Sequence, residues 1–264
     1  MEYRALFDDQ AGNFDRRAGL PPDVPERVAV ALTEIAGLQD GRKNLVEIGA
    51  GTGEIGVHLA RRAHRYLGLD LSLPMLRAFR TRETPRAFLL QADGCATWPL
   101  RPGSVDVVFG SRSLHHLPPA HLAGELERVA SGPGTVLFSG GLQREKESVK
   151  EMMSHRMRRL LQDRGFRGHG GGGVRKAMAL ELESRGWRPI GSRIVSSWQR
   201  ASSPMDSLES WQGKAGLNGL EMPVEVKRSV LEELRAWAEG RFGNLSDPVT
   251  ATESYVLVGM SRGS

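Results

Sequence analysis

The 264 residues are 39% hydrophobic and 25% charged, a globular composition with enough apolar material for a substantial core. A single cysteine, Cys95, excludes an intrachain disulfide framework and a cysteine-based metal cluster. No apolar run is long enough to cross a bilayer and no signal-peptide pattern is present, so a cytoplasmic protein is the expectation. The net charge of +5 is unevenly placed. Residues 1–140 carry 16 Lys/Arg and 16 Asp/Glu, whereas residues 144–176 alone hold ten basic and four acidic residues. That segment suits an acidic substrate or nucleic acid, or is a solvated helix face.

In chain order, Tyr3 to Arg17 forms an N-terminal segment with Phe7 and Phe14, ahead of a loop carrying Pro21, Pro22 and Pro25. Asp23 to Gly37 reads as a helix with Val24, Val28, Leu32 and Ile35 on one stripe. The run Leu45, Val46, Ile48 reads as a buried strand, and Gly49, Gly51 and Gly53 follow at once, before a helical pattern through Ile55, Val57, Leu59 and Ala60. Strand, glycine turn and helix start form a cradle for an adenosine-containing ligand. Glu47, at the strand's end, suits a cationic ligand better than a pyrophosphate. Asp70 ends the strand-like run Tyr66 to Leu69, where an acid can accept both ribose hydroxyls. Gly51 to Gly56 also matches G-x-G-x-x-G literally, which keeps a dinucleotide in contention.

Ser72 is placed to cap a helix through Met75, Leu76 and Phe79, with Pro74 in its first turn, and Leu71 and Met75 are placed to flank a base. The strand Ala87 to Gln91 delivers Asp93-Gly94-Cys95, where Cys95 offers a backbone N–H and nothing activates its thiol. The strand Val105 to Gly110 is almost wholly apolar and ends in Ser111-Arg112-Ser113-Leu114-His115-His116. Ligands bind outside the carboxyl ends of such strands, so Ser111 and the histidines should face the site, with His115 or His116 as the candidate general base. A helix from Ala120 to Ala130 and a strand from Thr135 to Ser139 follow.

Residues 144–164 read as an amphipathic helix with Val149, Met152, Met153, Met157, Leu160 and Leu161 on its apolar face. The tract Gly168 to Gly173 reads as a hinge or loop without regular structure. A helix near Lys176 to Arg185, a strand from Arg193 to Trp198 and a last strand from Glu253 to Met260 complete the sheet. The roughly fifty residues between those strands contain a segment around Leu208 to Trp211 and a helix from Val224 to Glu239, placed as a cap at the sheet edge.

The segments VEIGAGTGEIG, GLDLS, LLQADG and SVDVVFGSRSLHHL, in this order, resemble a class I S-adenosylmethionine-dependent methyltransferase, and within it the ubiquinone/menaquinone-biosynthesis C-methyltransferase-like group. The resemblance implies an α/β fold: a Rossmann-like, doubly wound, mostly parallel seven-stranded sheet with helical cap insertions. It implies one domain, with a core over about 23–140, 174–200 and 249–261 and cap elements over about 1–20, 141–170 and 203–246. It also implies that the glycine loop wraps the methionine part of the cofactor, Asp70 holds the ribose and Asp93 contacts the adenine amino group. Arg17 is then placed to pair with the cofactor carboxylate, in a segment with Phe14 where that family has tyrosine. The expected cofactor set is Arg17, Glu47, Gly49, Gly51, Gly53, Asp70, Leu71, Ser72, Met75, Asp93, Gly94, Cys95 and Ser111, with S-adenosylhomocysteine as product.

Methyl transfer from a sulfonium is an in-line displacement, so the protein mainly positions donor and nucleophile, and a lid that excludes water is expected. No metal-ligand spacing appears. His115, Trp198 and Arg200 are the substrate-side candidates, Arg200 toward an anionic group. A small-molecule acceptor ranks first, ahead of RNA met by the basic 144–176 segment and of a non-catalytic cofactor-binding role. The acceptor, the atom methylated and the oligomeric state are not named by the sequence, and no membrane partner is expected.

Overall fold

The computed structural model describes residues 19–82, 84, 86–166, 171–214 and 216–263. Seven strands, β1 (Asn44–Ile48), β2 (Arg65–Asp70), β3 (Ala87–Gln91), β4 (Val107–Ser111), β5 (Val136–Arg144), β6 (Trp187–Ser202) and β7 (Val249–Arg262), form one sheet. Their order is β3-β2-β1-β4-β5-β7-β6. The β1–β2, β1–β4, β2–β3 and β4–β5 pairs are parallel, with Val46 opposite Leu67 on one side and Val108 on the other. β7 runs antiparallel to β5, since Arg262 bonds Thr135 at one end and Thr252 bonds Glu145 at the other. The order reverses between β1 and β4, so the chain leaves their carboxyl ends in opposite directions and opens a crevice there.

Two compact units divide the chain. The first comprises residues 1–142, 175–196 and 255–264, as far as they are described. Its helices include α1 (Val24–Ala36), α2 (Gly56–Leu59), α3 (Leu73–Arg80), α4 (Pro119–Val129) and most of α6 (Gly171–Ser184). Val46, Ile48, Val108, Leu122, Leu126, Leu182 and Trp187 are among the side chains of one of its cores. Covered on both faces, β4 has Val107, Val108 and Phe109 fully inaccessible, which is why its sequence is a continuous apolar run.

The second unit comprises residues 143–174 and 197–254, as far as they are described. Its helices α5 (Val149–Asp163), α7 (Pro204–Gln212) and α8 (Val224–Phe242) bury Met153, Met157, Leu160, Leu208, Val230 and Leu234 together. α5 is capped by Ser148 and α7 by a reciprocal Ser203–Asp206 box, which fixes where each helix starts. The segments expected as insertions thus share an apolar cluster of their own.

Several elements differ from the sequence expectation: β5 continues past Ser139 to Arg144, and β7 begins at Val249, ahead of Glu253. The helix after the glycine loop is a single turn, Gly56–Leu59. Residues Gly171 to Gly173, expected to lack regular structure, open α6, where first-turn residues need no intrahelical N–H partner; residues 167–170 of that tract lie outside the described residues. β6 extends over 16 residues, well beyond Arg193 to Trp198. It lies at the sheet edge and is largely exposed, so it lacks the apolar run that marked the central strands, and an edge position tolerates its Pro189.

Candidate ligand-binding site

The loop after β1 is suspended from β2: the N–H groups of Gly49 and Ala50 both donate to Leu69 O, at 2.8 and 3.0 Å. Gly49, Gly51 and Gly53 have φ of 72°, 55° and 79°, a region that side chains rarely adopt. The three glycines have different reasons to be there. A Cβ on Gly49 would run into Ser113, and one on Gly53 into the Phe79 ring, so these two are demanded by packing within the protein. A Cβ on Gly51 would meet no protein atom within 4 Å. Gly51 lines the cavity, and there the bare backbone leaves room for a ligand.

Asp70, at the end of β2, locks this loop to the next. Its Oδ2 accepts from Gly51 N at 2.7 Å and its Oδ1 from Ser72 N at 2.8 Å. The carboxylate is therefore oriented by two backbone donors before any ligand arrives. Ser72 itself is fully buried and its hydroxyl accepts from Met75 N, capping α3.

Below the loop, Glu47 is 2% exposed and accepts a very short hydrogen bond from the Tyr66 hydroxyl. Burial pushes its pKa up to about 8, against the opposing Tyr66 hydrogen bond and with further upward pressure from Asp70 and Glu54. At neutral pH it is mainly a neutral acid rather than the carboxylate expected from the sequence. Burial, and then Glu47, pushes the Tyr66 hydroxyl well above its ordinary value, so it remains a donor.

On the far wall, Asp93 Oδ1 accepts from Cys95 N at 2.8 Å, so the Cys95 N–H expected to face a base is already engaged. Gly94 O receives the Trp98 indole N–H at 3.0 Å and has His121 Nε2 at 3.0 Å, which fixes the Asp93-Gly94 turn. Burial raises the Cys95 thiol pKa, with Asp93 adding to it, so the thiol is not activated.

From β4, Arg112 adopts φ 57° and reaches Glu54, Nη2 to Oε2 at 2.8 Å. Ser111 Oγ lies 2.7 Å from the hydroxyl of Tyr255, on β7. The ring centroids of His115 and His116 lie 3.9 Å apart, with the planes tilted by 40°. Burial, then His116 and Arg175, lowers the His115 pKa to about 4, and burial lowers that of His116, so both are neutral imidazoles at neutral pH.

These elements enclose a cavity of about 530 Å3, a typical size for a small-molecule site. Of the residues expected from the sequence, it is lined by Glu47, Gly49, Gly51, Asp70, Leu71, Met75, Asp93, Gly94, Cys95, Ser111 and His116. Gly53, Ser72 and His115 are not among its lining residues, and Arg17 lies outside the described residues. Trp198 and Arg200 belong to the second unit, where Arg200 Nε lies 2.7 Å from Glu253 and the Trp198 indole N–H is buried without a hydrogen-bond partner. Sequence reasoning missed Glu54 and Arg112 as lining residues and Tyr66 and Tyr255 behind them. The only signal was Arg112, a charged residue just past the end of a buried strand.

Residues 46–138 match the family model described as a methyltransferase domain. The malonyl-[acyl-carrier protein] O-methyltransferase of Laribacter hongkongensis is 34% identical over 150 residues, 52% of this chain and 49% of that protein. The enzyme of the same name from Serratia marcescens is 33% identical over 137 residues, 51% of each. The chain thus spans about half the length of these curated relatives. Among solved structures, a putative methyltransferase of Bacillus halodurans superposes with a TM-score of 0.59 at 15% identity, over 89% of this chain and 99% of that one. Its likeness extends the fold match well beyond the family segment. The cavity-building residues 46–138 are thus similar to a methyltransferase domain, within a chain of α/β, Rossmann-like fold.

Proposed function

We propose that the protein transfers a methyl group from S-adenosylmethionine to a small-molecule acceptor. The observation that carries this reading is the cavity, with Gly51 open toward it and the acids Asp70 and Asp93 at the tips of neighbouring strands. S-adenosylmethionine supplies an electrophilic methyl on a sulfonium. Asp70, already oriented by Gly51 and Ser72, accepts the ribose hydroxyls, and Asp93 the adenine amino group. Leu71 and Met75 give the base apolar walls. The dry floor around Glu47 favours a displacement in which charge is quenched. His116, neutral and lining the cavity, takes a proton where the acceptor must lose one; His115 beside it holds its ring in place.

The curated relatives are named as O-methyltransferases, which supports an oxygen acceptor over the carbon acceptor that the ubiquinone-type resemblance implies. The basic 144–176 segment gives little support to an RNA acceptor. Arg144 pairs with Glu253, Arg158 with Glu151 and Arg164 with Glu233, so part of its charge is spent within the chain.

Calorimetric titration with S-adenosylhomocysteine and with NAD tests the cofactor. Binding of the former and not the latter is expected, and the reverse would refute the reading. A methyl-transfer assay over a metabolite panel, read by mass spectrometry, identifies the acceptor; turnover of RNA alone would replace the small-molecule reading. Cofactor binding without turnover of any acceptor would favour a non-catalytic role.

A further inference from the structure

Away from the cavity, the second unit gathers donors around one buried acid. Glu253, on β7, is 4% exposed. β7 lies between β5 and β6. From β5, Arg144 Nε reaches Glu253 Oε1 at 2.8 Å, and from β6, Arg200 Nε lies 2.7 Å from Oε2. Lys150, on the first turn of α5, places its Nζ 3.9 Å from Oε1. One carboxylate thus stands against three cations.

The donors are unequally served. Arg144 donates a hydrogen bond to Glu253. The Arg200 Nε contact is an ion pair, but that nitrogen is buried and has no well-aligned acceptor. No hydrogen bond engages Lys150 Nζ among the described residues. Two residues before Arg200, and so on the same face of β6, the Trp198 indole N–H is also buried without a partner. Arg, Lys and the indole can donate and never accept, so the cluster has more donors than its single acid can satisfy.

The neighbouring acids do not close the gap. Asp206 Oδ2 is taken by the backbone of Ser203 in the helix cap, and Glu145 Oε2 by the backbone of Thr252. Burial, with Arg200 and Arg144 adding to it, lowers the Lys150 pKa, and Glu253 and, less strongly, Asp206 oppose this without cancelling it. Burial raises the Glu253 pKa, yet Arg144, Lys150 and Arg200 outweigh it and keep the carboxylate ionised. An ion-pair network built for stability alone would match its charges, because half-buried donors left unmet are costly.

We propose that Arg144, Lys150, Trp198 and Arg200 form a binding site for a small oxyanion, the carboxylate or phosphate of a small molecule. Planar guanidinium groups and a lysine are the donors suited to such a group. Glu253 holds the cations at their spacing and limits how tightly the anion is bound. The site lies within the second unit, so it does not depend on what occupies the cavity of the first.

The test is calorimetric titration of the full chain, in chloride-free buffer, with inorganic phosphate in one arm and acetate in the other. Saturable binding of at least one anion is expected, and the preferred arm identifies the headgroup. Lys150→Ala and Trp198→Phe, each checked for folding by circular dichroism, should each weaken binding, Lys150→Ala by about tenfold or more. Glu253→Gln removes the competing charge and should tighten binding. No saturable binding of either anion by the parent chain would overturn the proposal, as would folded Lys150→Ala and Trp198→Phe variants that bind unchanged. Titration with S-adenosylhomocysteine in parallel reports on the first unit alone, so the two readings fail separately.

Discussion

Replacing Glu47 by Gln keeps the shape of the buried acid and its acceptor for the Tyr66 hydroxyl, while removing its ability to ionise. The unfolded chain releases the Glu47 proton near 4.5, whereas the folded chain holds it to about 8. Folding therefore retains a proton throughout that window, and stability falls as pH rises through it, then levels off. A displacement of this size corresponds to about 5 kcal/mol between pH 4.5 and pH 8. The Gln variant lacks this loss, so its stability relative to the parent should be near unchanged at pH 4.5 and should climb by about 3–5 kcal/mol by pH 8.5. Urea unfolding of both proteins at steps of pH, without ligand, measures the difference. Tryptophan fluorescence follows the unfolding of both units, with Trp98 and Trp187 buried in the first and with Trp198, Trp211 and Trp237 located in the second. A difference that stays flat between pH 5 and pH 8.5 would refute the argument. It would mean that the Glu47 carboxylate is ionised in the folded protein and compensated there.

The same acid predicts how charge is sensed: the preference for S-adenosylmethionine over the uncharged thioether S-adenosylhomocysteine should grow severalfold from pH 6.5 to pH 9, as Glu47 ionises, and should be independent of pH in Glu47→Gln, measured by calorimetry. Asp70→Ala removes the acceptor that orients two loops and should weaken S-adenosylhomocysteine by about 1–3 kcal/mol; unchanged affinity would remove Asp70 from the site. Gly49→Ala and Gly51→Ala should part company. The first meets Ser113 and should cost about 2–4 kcal/mol of stability in urea unfolding, whereas the second should stay closer to the parent in stability and lose ligand affinity.

The interior strands β1, β2 and β4 were legible because a parallel strand covered on both faces must be a run of apolar residues, and an acid or polar residue marks where it emerges. All three followed that rule within two residues, and β3, an edge strand with Phe88 and Leu90 exposed, was read from its apolar composition. β6, at the opposite edge, was read only in part, because its first half is exposed and carries Arg188, Pro189 and Gly191 in place of an apolar run. The helices of the second unit were readable from their stripes, since Met153, Met157 and Leu160 face one cluster, but that the inserted segments share it is a long-range fact. In the site, the strand-tip acids were visible and their supports were not. A tyrosine in a strand is an ordinary strand residue, and only the β1–β2 register sets Tyr66 against Glu47. The three glycines carried one pattern for two physical reasons, and Gly51 alone faces open space.

The competition between the two nucleotide readings of the glycine loop turns on what its backbone N–H groups do. A loop that holds pyrophosphate must leave those donors pointing at the ligand, because they supply both the hydrogen bonds and the positive field. Here Gly49 and Ala50 donate to Leu69, and Gly51 donates to Asp70. The donors are consumed in tying β1 to β2. Around them stand Glu54, Asp70 and Asp93, with Arg112 as the basic residue of the lining, held by Glu54, and with Glu47 a mainly neutral acid at neutral pH. Two phosphates brought into such a cavity would meet negative charge with few free donors to offset it, at several kcal/mol per unscreened contact of about 4 Å in a partly buried site. A ligand with a sulfonium, an amine and a ribose meets the same groups favourably, since each is a donor or a cation. The literal match to a dinucleotide fingerprint and the chemistry of the finished loop thus point in different directions, and the chemistry supports the sulfonium donor.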